Sequence, residues 1–355
     1  MYNPRDIIDL IAANVRKTRN PFGVPNSRIN TWWRQAPGFT RRPGDALLLT
    51  GLMYQAIPYI EATTRYLERL EGSRGADYLR FGRLSRYIPG FLVGQGFAFL
   101  TSKASIEQFN GILLSICRLL TQSGAGFFYH PEMDFYSGIL LYDLGDQEGF
   151  VEHARFVART LKLHGVQKII TVDPHTTYAL KELYPKYTGV GFEVEPYFAL
   201  LGADGVSRGN GQPPVALHDP CFYGRYLKLS EGPRRLLSSL GIKYVDVRNC
   251  GEFTSCCGGP AESVSPALNR EILGRRVAEL EASGARWSPS APSVWLTCSR
   301  RACPWKTWPA CWTVLCKGFS VFSGPGVSPG QPQAKGRGYE NGFFSMVLVE
   351  NSPAF

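Results

Sequence analysis

The chain reads as an α/β protein of two pseudo-repeated, Rossmann-like domains with mainly parallel sheets, followed by an irregular C-terminal tail. Three observations predict it. Strand-like apolar runs alternate with amphipathic helix-like runs. The same order of elements occurs twice, and a Gly- and Pro-rich stretch, "GADGVSRGNGQPP" (Gly202 to Pro214), separates the two halves. A length of 355 residues exceeds that of one ordinary domain, and 44% apolar residues can furnish a substantial core.

Taken in order, the chain opens on "MYNPRDIIDLIAANVRK", an amphipathic helix charged from its start and without the apolar core of a signal peptide. A turn-rich segment, "NPFGVPNSR" (Asn20 to Arg28), follows, and "DALLLTGLMYQ" (Asp45 to Gln55) is a buried strand that runs into a turn at Gly51. A helix, "GFVEHARFVARTLKLHG", leads to a strand, "QKIITV", a loop, "DPHTT", and a helix, "YALKELYP". That loop lies at the carboxyl end of a strand, where open α/β sheets place their sites. In the second half "PVALHDP" (Pro214 to Pro220) is a strand ending in a turn, "GPRRLLSSLG" a helix and "IKYVDV" a strand. "NREILGRRVAELEASGA" (Asn269 to Ala285) is a long amphipathic helix that should feed one more strand. The expected divisions are a helix and linker over 1–44, a first domain over 45–201 with a helical insertion at about 67–123, a second domain over 213–305 and a tail over 306–355.

Thirty-nine Lys and Arg against 29 Asp and Glu leave a formal charge of +10, which on its own would suggest an anionic partner such as nucleic acid. Its placement argues otherwise. The last 70 residues, from Arg286, hold seven Lys or Arg but only Glu340 and Glu350, so half of the excess lies in the last fifth of the chain. That stretch also holds five of seven Trp and four of nine Cys, without helical or strand periodicity. Nucleic-acid binding is therefore not expected. The longest uncharged apolar-rich window, Tyr87 to Ser102, is 16 residues and broken by Pro89, Gly90, Gly94 and Gly96, too short and irregular for a spanning helix. A cytoplasmic protein is expected, peripheral on a membrane at most through a partner.

The cysteines carry the chemistry. Nine in a long chain argue against a disulfide scaffold and for metal ligands or reactive thiols. Cys221 stands in "HDPCFYGR", Cys256 and Cys257 in "SCCGGP", and Cys298 and Cys303 in "LTCSRRACP". Adjacent cysteines diverge in most backbones and suit one tetrahedral zinc poorly, whereas a polynuclear cluster lets neighbouring thiolates take different irons. Gly258 and Gly259 let backbone N–H groups approach the sulfurs. Cys117, on an apolar helix, reads as a small buried hydrophobe, as does Cys250, and Cys311 and Cys316 as incidental members of the tail.

A lone Cys after "HDP", then "CCG" with 34 residues between Cys221 and Cys256, resembles the cysteine-rich CCG domain of the B-type and D-type subunits of heterodisulfide reductase and of related iron–sulfur proteins. The likeness continues in "GPRRLL" and "CCGGPAESVSP", and upstream in "NPFGVP", "LLTGLMYQ", "LLYDLGD" and "LKELYP", and so covers most of residues 15–285. Such chains usually carry two copies of the motif. Here the first copy has no cysteine: its positions read Leu52, Phe135 and Tyr136, and Asp173 and Thr176 in "DPHT". Asp173 and His175 are chemically competent as metal ligands or proton carriers, but capping of a helix starting near Thr177 is the favoured role. His130 and His153 read as surface or packing histidines, whereas His218 lies inside the motif.

The resemblance implies a heterodisulfide-reductase-like oxidoreductase subunit. Its [4Fe–4S] cluster, cubane or noncubane, would be held by Cys221, Cys256, Cys257 and Cys303, with Cys298 a further candidate, and would serve electron transfer or disulfide and sulfur redox chemistry. His218, Cys256 and Cys257 are the candidate catalytic residues. The chain has neither a ferredoxin-type "CxxCxxCxxxCP" run nor a dinucleotide fingerprint. Electrons must then come from a ferredoxin-like iron–sulfur subunit, a flavoprotein or a membrane cytochrome, with a small thiol, disulfide or organic acid as substrate. The competing reading is a degenerate structural subunit of a redox complex, its cysteines binding zinc or nothing.

The resemblance wants "CPxC" near position 294, but the chain reads "WSPSAPSVWLTCSRRACPWKTW". Trp-Lys-Thr-Trp is encoded TGG AAA ACN TGG, and one base earlier the same stretch reads NTG GAA AAC NTG, a "LENL"-like segment of the kind that follows "CPxC" in the family. Cys303 is then the second cysteine of that motif, with a slip of the reading frame at Pro304 and a second candidate slip around Arg286. Resequencing should reveal the shift, and a tryptic peptide matching residues 307–317 as written would refute it.

Overall fold

The computed structural model describes residues 4–36, 38–60, 62, 101–202, 214–262 and 264–288. Cys298, Cys303, the candidate slip at Pro304 and positions 67–100 of the expected insertion lie outside the described residues.

Two parallel sheets organise the chain. Strands β1 (Ala46–Leu49), β2 (Phe127–Phe128), β3 (Lys168–Thr171) and β4 (Glu193–Pro196) form a four-stranded sheet in the order β2-β1-β3-β4. Strands β5 (Val215–Leu217), β6 (Tyr244–Asp246) and β7 (Arg286–Ser288) form a three-stranded sheet in the order β6-β5-β7. Every pairing is parallel. The expected α/β class with parallel sheets is therefore observed. Both sheets belong to one compact unit.

All four residues of β1 are buried, as a parallel strand covered on both faces requires. Successive side chains point to opposite faces, which divides them between two cores. Leu47 and Leu49 pack with Ile169 against Ile11 and Val15 of the opening helix (Pro4–Thr18) and Phe150, Val157 and Leu161 of the helix Gln147–Leu163. Ala46 and Leu48 pack with Ile170 against Phe109, Leu113, Ile116 and Leu120 of the helix Lys103–Gln122, and against Trp32. The part of the expected insertion that is described thus covers one face of the sheet. Cys117 sits in that core, its thiol pushed up to about 12 by burial, as its reading as a hydrophobe anticipates. None of the described helices is long and apolar enough to cross a membrane.

The carboxyl ends of β1 and β3 carry the cysteine-free motif positions. Leu52 takes φ +58, a left-handed conformation uncommon for a branched side chain. Gly51, at φ +63, has no room for a side chain, since a Cβ there would come within 1.9 Å of Thr176 Oγ1. Asp134 is buried beside them, accepting from Thr50 N at 2.8 Å, Thr50 Oγ1 at 2.6 Å and Tyr129 Oη at 2.9 Å. His153 is also buried, its Nε2 2.7 Å from Tyr136 O and its basicity lowered to about 4 by burial, which settles it as a packing residue.

Asp173 caps the helix Pro174–Tyr178, its Oδ1 accepting from His175 N and Thr176 N at 2.9 Å each. The helix starts three residues earlier than its expected start near Thr177, because Pro174 at the first helical position presets the backbone. Burial raises the Asp173 carboxyl to about 7 against the pull of these N–H groups. The folded state therefore holds this proton more tightly than the unfolded state, and stability from this group is lost as pH rises from about 4 to about 7. Asp173→Asn keeps a capping oxygen without the charge. Urea unfolding at pH 4 and pH 7.5 should show the stability of the variant, relative to the parent, rising by a few kcal/mol across that interval.

Candidate functional site

Strand β5 delivers His218, Asp219, Pro220 and Cys221 to its carboxyl end, and the loop after β6 brings Cys256 and Cys257 to the same place. Asp219 joins the two segments. Its carboxylate is gripped in two places by Arg234 of the helix Glu231–Ser239, Nη1 to Oδ1 at 2.8 Å and Nη2 to Oδ2 at 2.7 Å. Oδ2 also accepts from Gly251 N at 2.7 Å, and the Asp219 carbonyl accepts from Thr254 Oγ1 at 2.7 Å. Arg234 reaches Asp246 as well, with Nε 3.0 Å from Oδ1. Gly224 allows the segments to close, since a Cβ there would fall 2.2 Å from Gly251 O.

A second buried cation braces the other side. Arg276, fully buried on the helix Pro266–Glu281, donates through Nε to His218 Nδ1 at 2.9 Å and through Nη1 to Asn249 O at 2.8 Å and Glu279 Oε2 at 2.7 Å. A nitrogen that accepts from a guanidinium carries no proton, so His218 is neutral. Burial and the adjacent Arg276 charge lower it to about 3. This geometry suits positioning of the loop.

The three thiols converge. Cys256 is pushed well down from the ordinary thiol range by hydrogen bonds from Cys221 and Cys257, by the Gly258 N–H and by the Arg225 cation. Cys221 is pushed up, chiefly by its hydrogen bond to Cys256. Of the three, Cys256 is the thiol whose anion is favoured, and Gly258 N lies 3.3 Å from its Sγ. Gly258 needs φ +82, and a Cβ there would lie 2.6 Å from Asn269 Oδ1. Cys250 is half-buried and has no part in this cluster of thiols. Among the described residues, no three His, Cys, Asp or Glu are arranged around one ion. Thiols converging from two loops, with an amide aimed at one sulfur, fit a polynuclear centre better than a single ion.

The four-stranded sheet also contributes to the site. His175 meets Phe222 edge-on, with ring centroids 4.8 Å apart, and Tyr178 stacks on the same ring at 4.9 Å. Thr177 Oγ1 lies 3.1 Å from Tyr223 Oη. Burial lowers His175 to about 4 while the Cys256 anion pulls it up, and Asp143 is raised to about 7, first by burial and then by that anion.

Sequence reasoning marked Cys221, Cys256, Cys257 and His218, and all four meet here. It gave no role to Asp219, Arg234, Arg276 or Asp143. Asp219 and Arg234 stand within the quoted "HDPC" and "GPRRLL" motifs, which was an available signal. Arg276 lies in a helix that reads only as amphipathic, and nothing local distinguishes it from Arg275.

A family model for the cysteine-rich CCG domain matches residues 215–287. Among curated proteins, the chain is 29% identical over 177 residues to the probable iron–sulfur-binding oxidoreductase FadF of Bacillus subtilis, covering 46% of this chain and 25% of the relative. It is 31% identical over 158 residues to the EtfAB:quinone oxidoreductase of Syntrophomonas wolfei, covering 43% and 22%. With the D-type subunit of the dihydromethanophenazine:CoB–CoM heterodisulfide reductase of Methanosarcina mazei it shares 26% identity over 208 residues, 52% of this chain and 51% of that relative. The chain thus spans between about a fifth and half the length of these relatives. No solved structure matches it. Its motifs, its parallel sheets and these similarities agree: residues 215–287 match a cysteine-rich CCG domain, and the chain is similar to iron–sulfur oxidoreductases that include the D-type subunit of heterodisulfide reductase.

Proposed function

We propose that the chain is an iron–sulfur oxidoreductase subunit in which Cys221, Cys256 and Cys257, completed by Cys303, hold a [4Fe–4S] cluster. The observation that carries this reading is the convergence of Cys221 and Cys257 on Cys256, whose Sγ also accepts from the Gly258 amide at 3.3 Å. A cluster bound there supplies one-electron transfer. The surrounding residues do the rest. Asp219 and Arg234 fix the distance between the two cysteine loops. His218 and Arg276 hold the first loop from behind. Asp143 keeps a proton near neutral pH on the side of the other sheet, close enough to Cys256 to feel its charge. The relatives support redox partners, and a ferredoxin-like subunit, a flavoprotein or a membrane cytochrome would exchange the electrons. Heterodisulfide-type chemistry is the finer reading, and the absence of thiols at Leu52, Phe135, Tyr136, Asp173 and Thr176 favours electron relay or sulfur transfer over concerted cleavage at paired clusters.

Anaerobic purification should give a protein with iron and sulfide in equal amounts and a broad absorption near 400 nm. Cys256→Ser with Cys257→Ser should abolish both. Stoichiometric zinc without iron after reconstitution would replace this reading with the structural zinc subunit.

Asp219→Asn should weaken the site without touching a sulfur. Removing one partner of a buried ion pair costs about 3–5 kcal/mol, and the Asp219 and Arg234 side chains are 5% and 6% exposed. Urea unfolding should register that loss, accompanied by faster release of iron.

A further inference from the structure

The outer face of the helix Gln147–Leu163 carries a row of charges that its own fold leaves unpaired. Its inner face, with Phe150, Ala154, Val157 and Leu161, is buried in the core of the four-stranded sheet. Outside, Glu148, Glu152, Arg155 and Arg159 are all exposed. Their spacing of four, three and four residues sets them in one row along the helix. Among the described residues none of the four enters an ion pair.

The order of these charges does not favour a solitary helix. Like charges four residues apart repel, and the row holds two such pairs, Glu148 with Glu152 and Arg155 with Arg159. The helix dipole favours an acid in the first turn and a base in the last, which accounts for Glu148 and Lys162. That effect falls off within a turn, so it does not account for Glu152, Arg155 and Arg159.

Read backwards, acid, acid, base, base becomes its own complement. A second helix of the same sequence laid antiparallel sets Glu148 opposite Arg159 and Glu152 opposite Arg155, because both pairs are centred between His153 and Ala154. A two-fold axis at that point makes each pairing occur twice, as an isologous contact requires. The surroundings suit it. The four charges line an open groove together with Phe156 and Arg19. Phe156 is 37% exposed and gives the contact an apolar element near its centre. The Arg19 guanidinium lies 4.1 Å from the centroid of that ring and adds a cation there.

We propose that this face binds a second copy of the chain, antiparallel across a two-fold axis, through reciprocal pairing of Glu148 with Arg159 and Glu152 with Arg155. The contact is independent of the cysteines and of any cluster they hold.

The test is sedimentation equilibrium of the purified full chain, with a reductant present so that thiol cross-links do not contribute. At about 0.05 M salt and protein up to about 200 μM the chain should form dimers. Raising salt to about 0.5 M shortens the screening length about threefold, and should weaken the dimer at least tenfold. Glu148→Arg with Glu152→Arg makes the row wholly basic, and Arg155→Glu with Arg159→Glu makes it wholly acidic. Each double variant alone should dimerise at least tenfold more weakly than the parent, and an equimolar mixture of the two should restore a dimer at least as tight. Where a double variant loses the parent unfolding profile, the single reversals Glu152→Arg and Arg155→Glu serve in the same mixing experiment. A parent that stays monomeric throughout, a dimer indifferent to salt or to both reversals, or a mixture of folded variants that stays monomeric would each overturn the proposal.

Discussion

Asp219 is the residue on which the site depends. It follows a three-residue strand, and its carboxylate ties the first cysteine-bearing segment to the second, directly through Gly251 and through Arg234 by way of Asp246. Two thiol-bearing loops that must meet at a shared metal centre cannot rely on apolar packing alone, which is non-directional and tolerates sliding. A bidentate guanidinium–carboxylate pair fixes both distance and angle. Arg276 repeats the device behind His218, again with a buried cation whose hydrogen bonds go to loop atoms.

The two sheets reach their order by different means. The four-stranded sheet is buried between two extensive apolar cores, one on each face. The three-stranded sheet has a compact cluster at Ala216, Val247 and Leu280, and its geometry is set instead by ion pairs at Arg234 and Arg276. Buried ion pairs contribute little net stability but are costly to break, so they favour one arrangement over near alternatives. The first sheet accordingly acts as the platform and the second as the positioned site. Contact between them falls on Phe222, flanked by His175 and Tyr178, directly after the first cysteine.

The positions that read as a cysteine-free motif copy have structural roles in this fold. Asp173 stands at the end of β3 and uses its carboxylate to cap a helix. Gly51 and the left-handed Leu52 preserve a tight turn after β1. Leu52 and Tyr136 line a cavity, together with His175 from the neighbouring helix.

Much of this was legible from residue order alone. The alternation of apolar and amphipathic runs located the strands and helices, since hydrophobic periodicity is a local property of the chain. The spacing of Cys221, Cys256 and Cys257 pointed to a CCG domain and to its thiols, because reactive residue types at turns announce themselves without tertiary context. What only the tertiary structure decided was which charges are buried. Arg275 and Arg276 are neighbours with the same side chain; one is exposed and the other fully buried against His218, and the difference lies in the direction of each side chain from its helix. The same holds for Asp143 and His175, whose nearness to Cys256 depends on how two sheets distant in sequence pack together. Burial and long-range approach are properties of the folded surface, and no local pattern encodes them.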